Sequence, residues 1–241
     1  MKFPKKTKNL KYIVAKPSRN AAIMATFNSK GLIPDNTIKY LKEIKKHFDY
    51  IIVVGDNPIL ESEAKKLDGI ADSYIFKRHN NYDFGSYKIG YNTLKNFGII
   101  DKIDKLLFFN DSVEFVGESL DDVFKNNYDF YGILKSNQPL KLNAIFAQHE
   151  HIQSWFLLMS SKIFKSDWFK KYIDSIKHQK YKRAYIINYE IGLGKLVSEH
   201  GFELNSYYPY NENYLINPDR IYAHPDKIIE NRLFIKKRHL K

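Results

Sequence analysis

The chain has 241 residues, 44% of them hydrophobic and 15% aromatic, which is enough for a sizeable core and excludes a disordered chain. Thirty-nine Lys and Arg against 27 Asp and Glu leave a formal charge of +12, which points to an anionic partner such as nucleic acid, an anionic membrane face or a phosphorylated substrate. Cysteine is absent, so disulfides and thiolate metal sites are excluded, and any metal must be held by oxygen or imidazole.

The N-terminal MKFPKKTKNLK is basic and runs into no apolar segment, and nothing in the chain approaches the ~18 apolar residues of a membrane span. Residues 1–20 are therefore expected as a basic arm on a cytoplasmic chain. AAIMATF (21–27) predicts the first buried strand. Ile38, Leu41, Ile44 and Phe48 then recur at helical spacing. YIIVV (50–54) predicts a second strand closed by Gly55, Asp56, Asn57 and Pro58, followed by a helical stretch over about 59–67 and a strand SYIFK (73–77). This alternation predicts parallel βαβ units, in which ligands bind beyond the carboxyl ends of the strands.

RHNNYDFGSYKIGYNTLKN (78–96) gathers polar residues around Asp83 and Gly85 before a helix. Asp83 either caps that helix or stands beside an anion bound at its N-terminus. KLLFFNDS (105–112) then runs a buried strand into Asn110, Asp111 and Ser112, either as a turn or as a strand end whose carboxylate holds a divalent cation together with substrate phosphates. Tyr82 and Tyr87 are candidates for stacking on a base or sugar.

YDFYGIL (128–134) and HIQSWFLLMS (151–160) predict further strands, the second long and buried. Period-two alternation would put His149, His151 and Gln153 on one face; two His so placed could bind a metal, but with no third ligand evident nearby the face suits substrate hydrogen bonding by His151 or Gln153 better. Helical patterns follow at about 162–177 and 185–200, the latter stopped by Gly201. Glu190 shares a helical stripe with Ile186, Leu193 and Val197. Its alternatives are a buried glutamate paired with Lys or Arg, and a half-desolvated general base, with Gly192 and Gly194 leaving room for a ligand.

In order along residues 20–240, RHNNYDFGSYKIG, LLFFNDSV, DFYGILKS, HIQSWFLLMSSKIFKS, YEIGLGKLVSEHGF and FIKKRHL together resemble the rhamnan synthesis protein F family of bacterial glycosyltransferases. The resemblance implies a single-domain α/β fold, a GT-A-like, Rossmann-type nucleotide-binding sheet sandwich, with about 21–135 as the nucleotide-sugar half and about 136–241 as the acceptor half. It further implies transfer of a sugar such as L-rhamnose from a dTDP-, UDP- or GDP-sugar to a growing polysaccharide or O-antigen, with a glycan or lipid-linked glycan as acceptor. Asn110, Asp111 and Ser112 stand where such enzymes usually carry an Asp-x-Asp metal motif, here with one carboxylate, so Asp111 is the expected ligand of Mg²⁺ or Mn²⁺. Arg78, Asp83 and Gly85 join them as expected donor-binding residues, His151 and Gln153 as acceptor-binding residues, and Glu190 as the base of an inverting reaction. Peripheral contact with the inner face of the bacterial inner membrane accounts for the basic charge on this reading, since basic residues gain ~1 kcal/mol each near anionic lipid. The alternatives are a nucleotidyltransferase or another sugar transferase on a similar sheet, and a glycan-binding member without catalysis. A nucleic-acid-binding protein is disfavoured because the lysines are spread along the chain and no recognised motif is present.

Overall fold

The computed structural model describes residues 6–142, 145–209 and 216–240. The chain forms two compact units, Met1–Asp111 and Ser112–Lys241. The expected α/β architecture is present, with a Rossmann-type parallel sheet in the first unit.

That sheet is built from β1 (Asn9–Tyr12), β2 (Asn20–Thr26), β3 (Tyr50–Gly55), β4 (Ser73–Lys77) and β5 (Lys105–Asn110), in the order β5-β2-β3-β4-β1. Strands β2 to β5 are parallel, and β1 closes the edge antiparallel to β4. Continuous apolar runs such as Ala21–Ala25 and Ile51–Val54 are wholly buried, as expected where both sheet faces are covered. Strand β1 lies in the stretch read as a basic arm. Three of its four residues are exposed, so it has no apolar signature, and it is held by its backbone ladder.

Helix α1 (Asp35–Lys45) joins β2 to β3, and α2 (Tyr82–Asn96) joins β4 to β5. The apolar face of α1 runs through Tyr40, Leu41 and Ile44 and continues to Phe48 beyond its end. Helix α2 lies close on the sheet because Gly90 has no side chain; a Cβ there would stand 2.4 Å from Cγ2 of Ile23. Tyr87, proposed to stack on a ligand, is fully buried on this face, its ring stacked on Phe108 at 4.7 Å. A phenol five residues into an amphipathic helix falls on the core stripe, and burial of a ring stabilises by roughly 1.5–3 kcal/mol.

The second unit contains β6 (Val113–Phe115), β7 (Phe130–Gly132), β8 (Lys135–Ser136), β9 (His151–Ile152), β10 (Phe156–Ser160), helix α3 (Asp167–Ser175), helix α4 (Gly192–Glu199), β11 (Asn205–Ser206) and β12 (Phe234–Lys236). Strand β7 pairs with β10 antiparallel and with β11 parallel, β8 with β9, and β6 with β12. The single strand expected over 151–160 is broken at Gln153, Ser154 and Trp155. The helix expected over 185–200 is longer and irregular: a turn of α-helix over Lys182–Tyr185, a π-helical stretch Ile186–Ile191, then α4. It ends as expected at Gly201 (φ 79°), where the Phe202 and Gly201 amides bond the carbonyls of Val197 and Ser198. Among the described residues no helix is long and apolar enough to cross a membrane.

Candidate functional site

The first unit places its polar residues by topology. From β2 the chain builds outward through β3 and β4, then returns to lay β5 on the other side of β2. Ligands of open parallel sheets sit at the carboxyl ends of the strands where the order reverses in this way. Thr26 ends β2 and Asp111 follows β5, and the Thr26 hydroxyl donates to Oδ2 of Asp111 at 2.6 Å across this point. The Asp111 amide also donates to the carbonyl of Ala25, so both backbone and side chain fix the carboxylate. Beside it, Nδ2 of the Asn110 side chain donates to Oδ2 of Asp83 at 2.8 Å. Asp83, in the first turn of α2, thus turns its carboxylate to the end of β5, and the motif with one carboxylate in sequence acquires a second acidic neighbour in space.

Asp56, a turn residue by its local sequence, organises the next loop. Its Oδ1 accepts the amides of His79 (2.7 Å) and Asn80 (2.9 Å), and its own amide donates to the carbonyl of Thr26. Asn80 and Tyr82 adopt left-handed φ angles of 58° and 50°, unusual for a bulky residue like Tyr82. Arg78 projects from this loop with its guanidinium half exposed; one N–H donates to the Asp56 carbonyl at 2.8 Å, and the group lies over the ring of Phe27 at 5.3 Å. Phe27 is 51% exposed, an aromatic surface beside a guanidinium that no sequence signal singled out. Gly85 acts indirectly. A Cβ there would fall 2.6 Å from Nδ1 of His79, so its missing side chain seats the imidazole.

The tautomer of His79 follows from its partners. The Asn81 amide donates to Nδ1 (3.2 Å), so the neutral ring carries its hydrogen on Nε2, toward Oγ of Ser86 at 3.0 Å. Burial pushes the imidazole below its usual value, and the nearby Asp56 carboxylate offsets this only in part.

In the second unit the candidate base is held by the broken strand. The Ser154 amide donates to Oε2 of Glu190 at 2.7 Å, a bond that a continuous strand would have spent on its ladder. Nε2 of His151 lies 3.6 Å from Oε1. The partners are thus an amide and an imidazole, in place of the Lys or Arg expected of a purely structural buried glutamate. His151 is 3% exposed and its Nδ1 bonds the His149 carbonyl at 2.8 Å. A carbonyl only accepts, so Nδ1 bears the hydrogen, and the lone pair of Nε2 in the neutral ring faces a carboxylate oxygen. Glu190 sits within the π-helical stretch, an irregularity that recurs at functional sites. Gly194, expected to leave room for a ligand, is filled by the chain: a Cβ would stand 2.5 Å from the Glu150 carbonyl and 2.8 Å from Cβ of His151. It lets α4 press against β9.

His149 lies outside any strand, its Nδ1 donating to the Glu150 carbonyl at 2.7 Å, so the face expected to join His149, His151 and Gln153 does not form. Gln153, 7% exposed, donates to Oδ1 of Asn217 (2.9 Å) and accepts from the Trp155 indole (2.8 Å), a brace within the unit. Ser112 is likewise engaged, accepting from Nζ of Lys236 at 2.7 Å and from the Lys237 amide.

The donor set beside Asp111, a carboxylate, a hydroxyl and the neighbouring Asp83, is oxygen-only and suits a hard divalent cation. Residues 51–241 match the family described as rhamnan synthesis protein F. The chain is 26% identical over 195 residues to the uncharacterized protein y4gN of Sinorhizobium fredii, covering 79% of this chain and 49% of that one. It is 30% identical over 105 residues to virulence protein VirA of Vibrio anguillarum, covering 43% and 33%. It therefore spans about half the length of the first relative and a third of the second. Among solved structures it resembles a putative glucose-1-phosphate thymidylyltransferase from Bacillus anthracis (12% identity, 80% and 86% covered, TM-score 0.48). A further likeness is to core-mannan synthase A from Aspergillus fumigatus in its Mn/GDP form (14%, 73% and 69%, 0.39).

Proposed function

The chain belongs to the rhamnan synthesis protein F family, and from that premise we propose that it is a nucleotide-sugar-dependent glycosyltransferase that extends a cell-surface polysaccharide, with L-rhamnose as the sugar. The observation that carries the reading is the position of Asp111, tied to Thr26 at the point where the strand order reverses. On this reading the donor binds the first unit. Its diphosphate lies by Asp111 and Asp83, Arg78 supplies a guanidinium to the leaving phosphates, and Phe27 offers a face to the base. Asp111 would hold the divalent cation, with Asp83 beside it; such an ion neutralises charge that develops on a departing diphosphate.

The second unit supplies the base. Glu190, with one oxygen fixed by the Ser154 amide and the other facing His151, takes the proton from an acceptor hydroxyl. The oxygen of that acceptor hydroxyl bonds to the anomeric carbon as the bond to the diphosphate breaks, the electron pair leaving with the nucleoside diphosphate, and the centre inverts. Calorimetry with dTDP, UDP, GDP and CMP, with and without Mn²⁺, tests the reading. One nucleotide should bind in a metal-dependent way, and Asp111→Ala should weaken that binding by roughly ten- to a hundredfold. Binding of none would overturn the donor assignment, and equal binding with and without Mn²⁺ would remove the cation from Asp111.

A further inference from the structure

The second unit carries a polar pocket that the preceding reading leaves unused. Gln138, Asn217, Arg220, Arg238 and His239 line a cavity of about 560 Å³. No carboxylate is among them. Asp219 lies behind the wall, 1% exposed, where Oδ2 accepts from Nη2 of Arg238 and Oδ1 lies 3.4 Å from Nε2 of His239. One carboxylate thus offsets one of two guanidinium groups, leaving +1 even with the imidazole neutral. Among the described residues Arg220 has no carboxylate within ion-pair distance, and it is exposed.

The amide of Asn217 sharpens the selectivity. Its Oδ1 accepts from Nε2 of Gln153 at 2.9 Å and from the Asp219 amide at 3.1 Å, which identifies the oxygen and leaves the NH₂ as a donor. Two guanidinium forks and a carboxamide NH₂ offer more donors than a single carboxylate can use, and they match the terminal oxygens of a phosphoryl group. The pocket is also braced by the same turn that holds Glu190. Gln153 fixes Asn217, and the next residue, Ser154, fixes the carboxylate of Glu190.

We infer that this pocket binds a phosphoryl group, and, resting on the proposed transferase reading, that the group belongs to the acceptor. The anion would tether the acceptor by the turn that positions the base. Calorimetric titration of the full chain with inorganic pyrophosphate in EDTA isolates this site from a cation-dependent one. Arg220→Ala is expected to weaken binding at least tenfold, the order lost with one charge-assisted pair. Arg220→Lys should retain part of it, and the melting temperature should not move, because Arg220 makes no ion pair to lose. Pyrophosphate binding that is absent in the wild type, or equal in Arg220→Ala, would overturn the inference. Because Arg238 also neutralises Asp219, Arg238→Ala is judged by anion binding only if the chain remains folded by circular dichroism.

Two further arms separate the sources of the phosphate. Co-flotation with phosphatidylglycerol vesicles that Arg220→Ala removes identifies a lipid headgroup, whereas lost pyrophosphate binding with unchanged flotation identifies a soluble phosphorylated glycan. Glu190→Gln separates the inference from the reading beneath it: it should keep wild-type pyrophosphate affinity even if its transfer activity shows that Glu190 is not the base.

Discussion

The two units build their polar sites by opposite means. In the first, regular elements do the placing: parallel strands end in register, and Thr26, Asp56, Arg78 and Asp111 stand at their carboxyl ends because the chain must leave the sheet there. In the second, irregularity does it. A strand breaks to free the Ser154 amide, and a π-helical stretch carries the glutamate that accepts it. A regular sheet therefore supplies a place for a ligand almost as a by-product of its topology, while the carboxylate of Glu190 is held by a backbone group released from regular hydrogen bonding.

On the proposed function, nucleotide binding falls to one unit and proton transfer to the other, and the strongest test separates them. Glu190→Gln should lower sugar transfer by ~10²- to 10⁴-fold while leaving nucleotide affinity within about twofold. An intact rate would break the assignment of the base, and a lost affinity would break the division itself. Asp111→Ala should do the reverse to binding, weakening the metal-dependent nucleotide complex by roughly ten- to a hundredfold through the loss of one charged contact. Asp111→Asn, which keeps the acceptor for Thr26 but removes the charge, sharpens this by separating fold from electrostatics.

Smaller effects probe how each site is held. Gly194→Ala puts a Cβ 2.5 Å from the Glu150 carbonyl, a backbone atom that cannot swing away, and should cost about 1–3 kcal/mol in denaturant unfolding. It should also reduce transfer by shifting His151, leaving nucleotide binding in place. The mildest prediction concerns pH. His79 has its value depressed in the folded chain, so the folded state disfavours the proton that the unfolded chain accepts. The associated stability is fully present above the usual value near 6.5 and is lost as pH falls below it. Protonation at Nδ1 also breaks the bond from the Asn81 amide and loosens the loop that carries Arg78. Nucleotide affinity should therefore decline modestly between pH 7.5 and 5.5, and His79→Gln should flatten that profile.

Much of the first unit was legible before the fold was known. Short apolar runs ended by Gly, Asp, Asn and Pro mark buried parallel strands, and βαβ connectivity then dictates at which ends a ligand is expected. The strand 73–77 matches its predicted limits, and Asp111 was visible as the residue beyond a buried strand. Asp56 was hidden because a turn residue and a residue that organises a loop carry the same local signature. Phe27 was hidden because an exposed aromatic differs from a core one only by its tertiary neighbours. In the second unit the helical stripe exposed Glu190, since a carboxylate among Leu193 and Val197 has no local justification. The same reasoning misjudged Gly194 and the 151–160 strand. Period-two and period-3.6 patterns describe elements that satisfy their own hydrogen bonds, and these segments satisfy theirs across the unit.

What the sequence determined by itself is the class of the fold and the chemistry it carries: a parallel sheet of apolar runs, an oxygen-only set of possible metal ligands, and a glutamate on an apolar stripe. Only the tertiary structure decided the partners. Asp83 joins Asn110, Thr26 joins Asp111, and His151 and Ser154 join Glu190 across separations of 27, 85, 39 and 36 residues. Local preference is set by neighbours a few bonds away, whereas a hydrogen bond between distant residues exists only once the core has fixed where the chain returns.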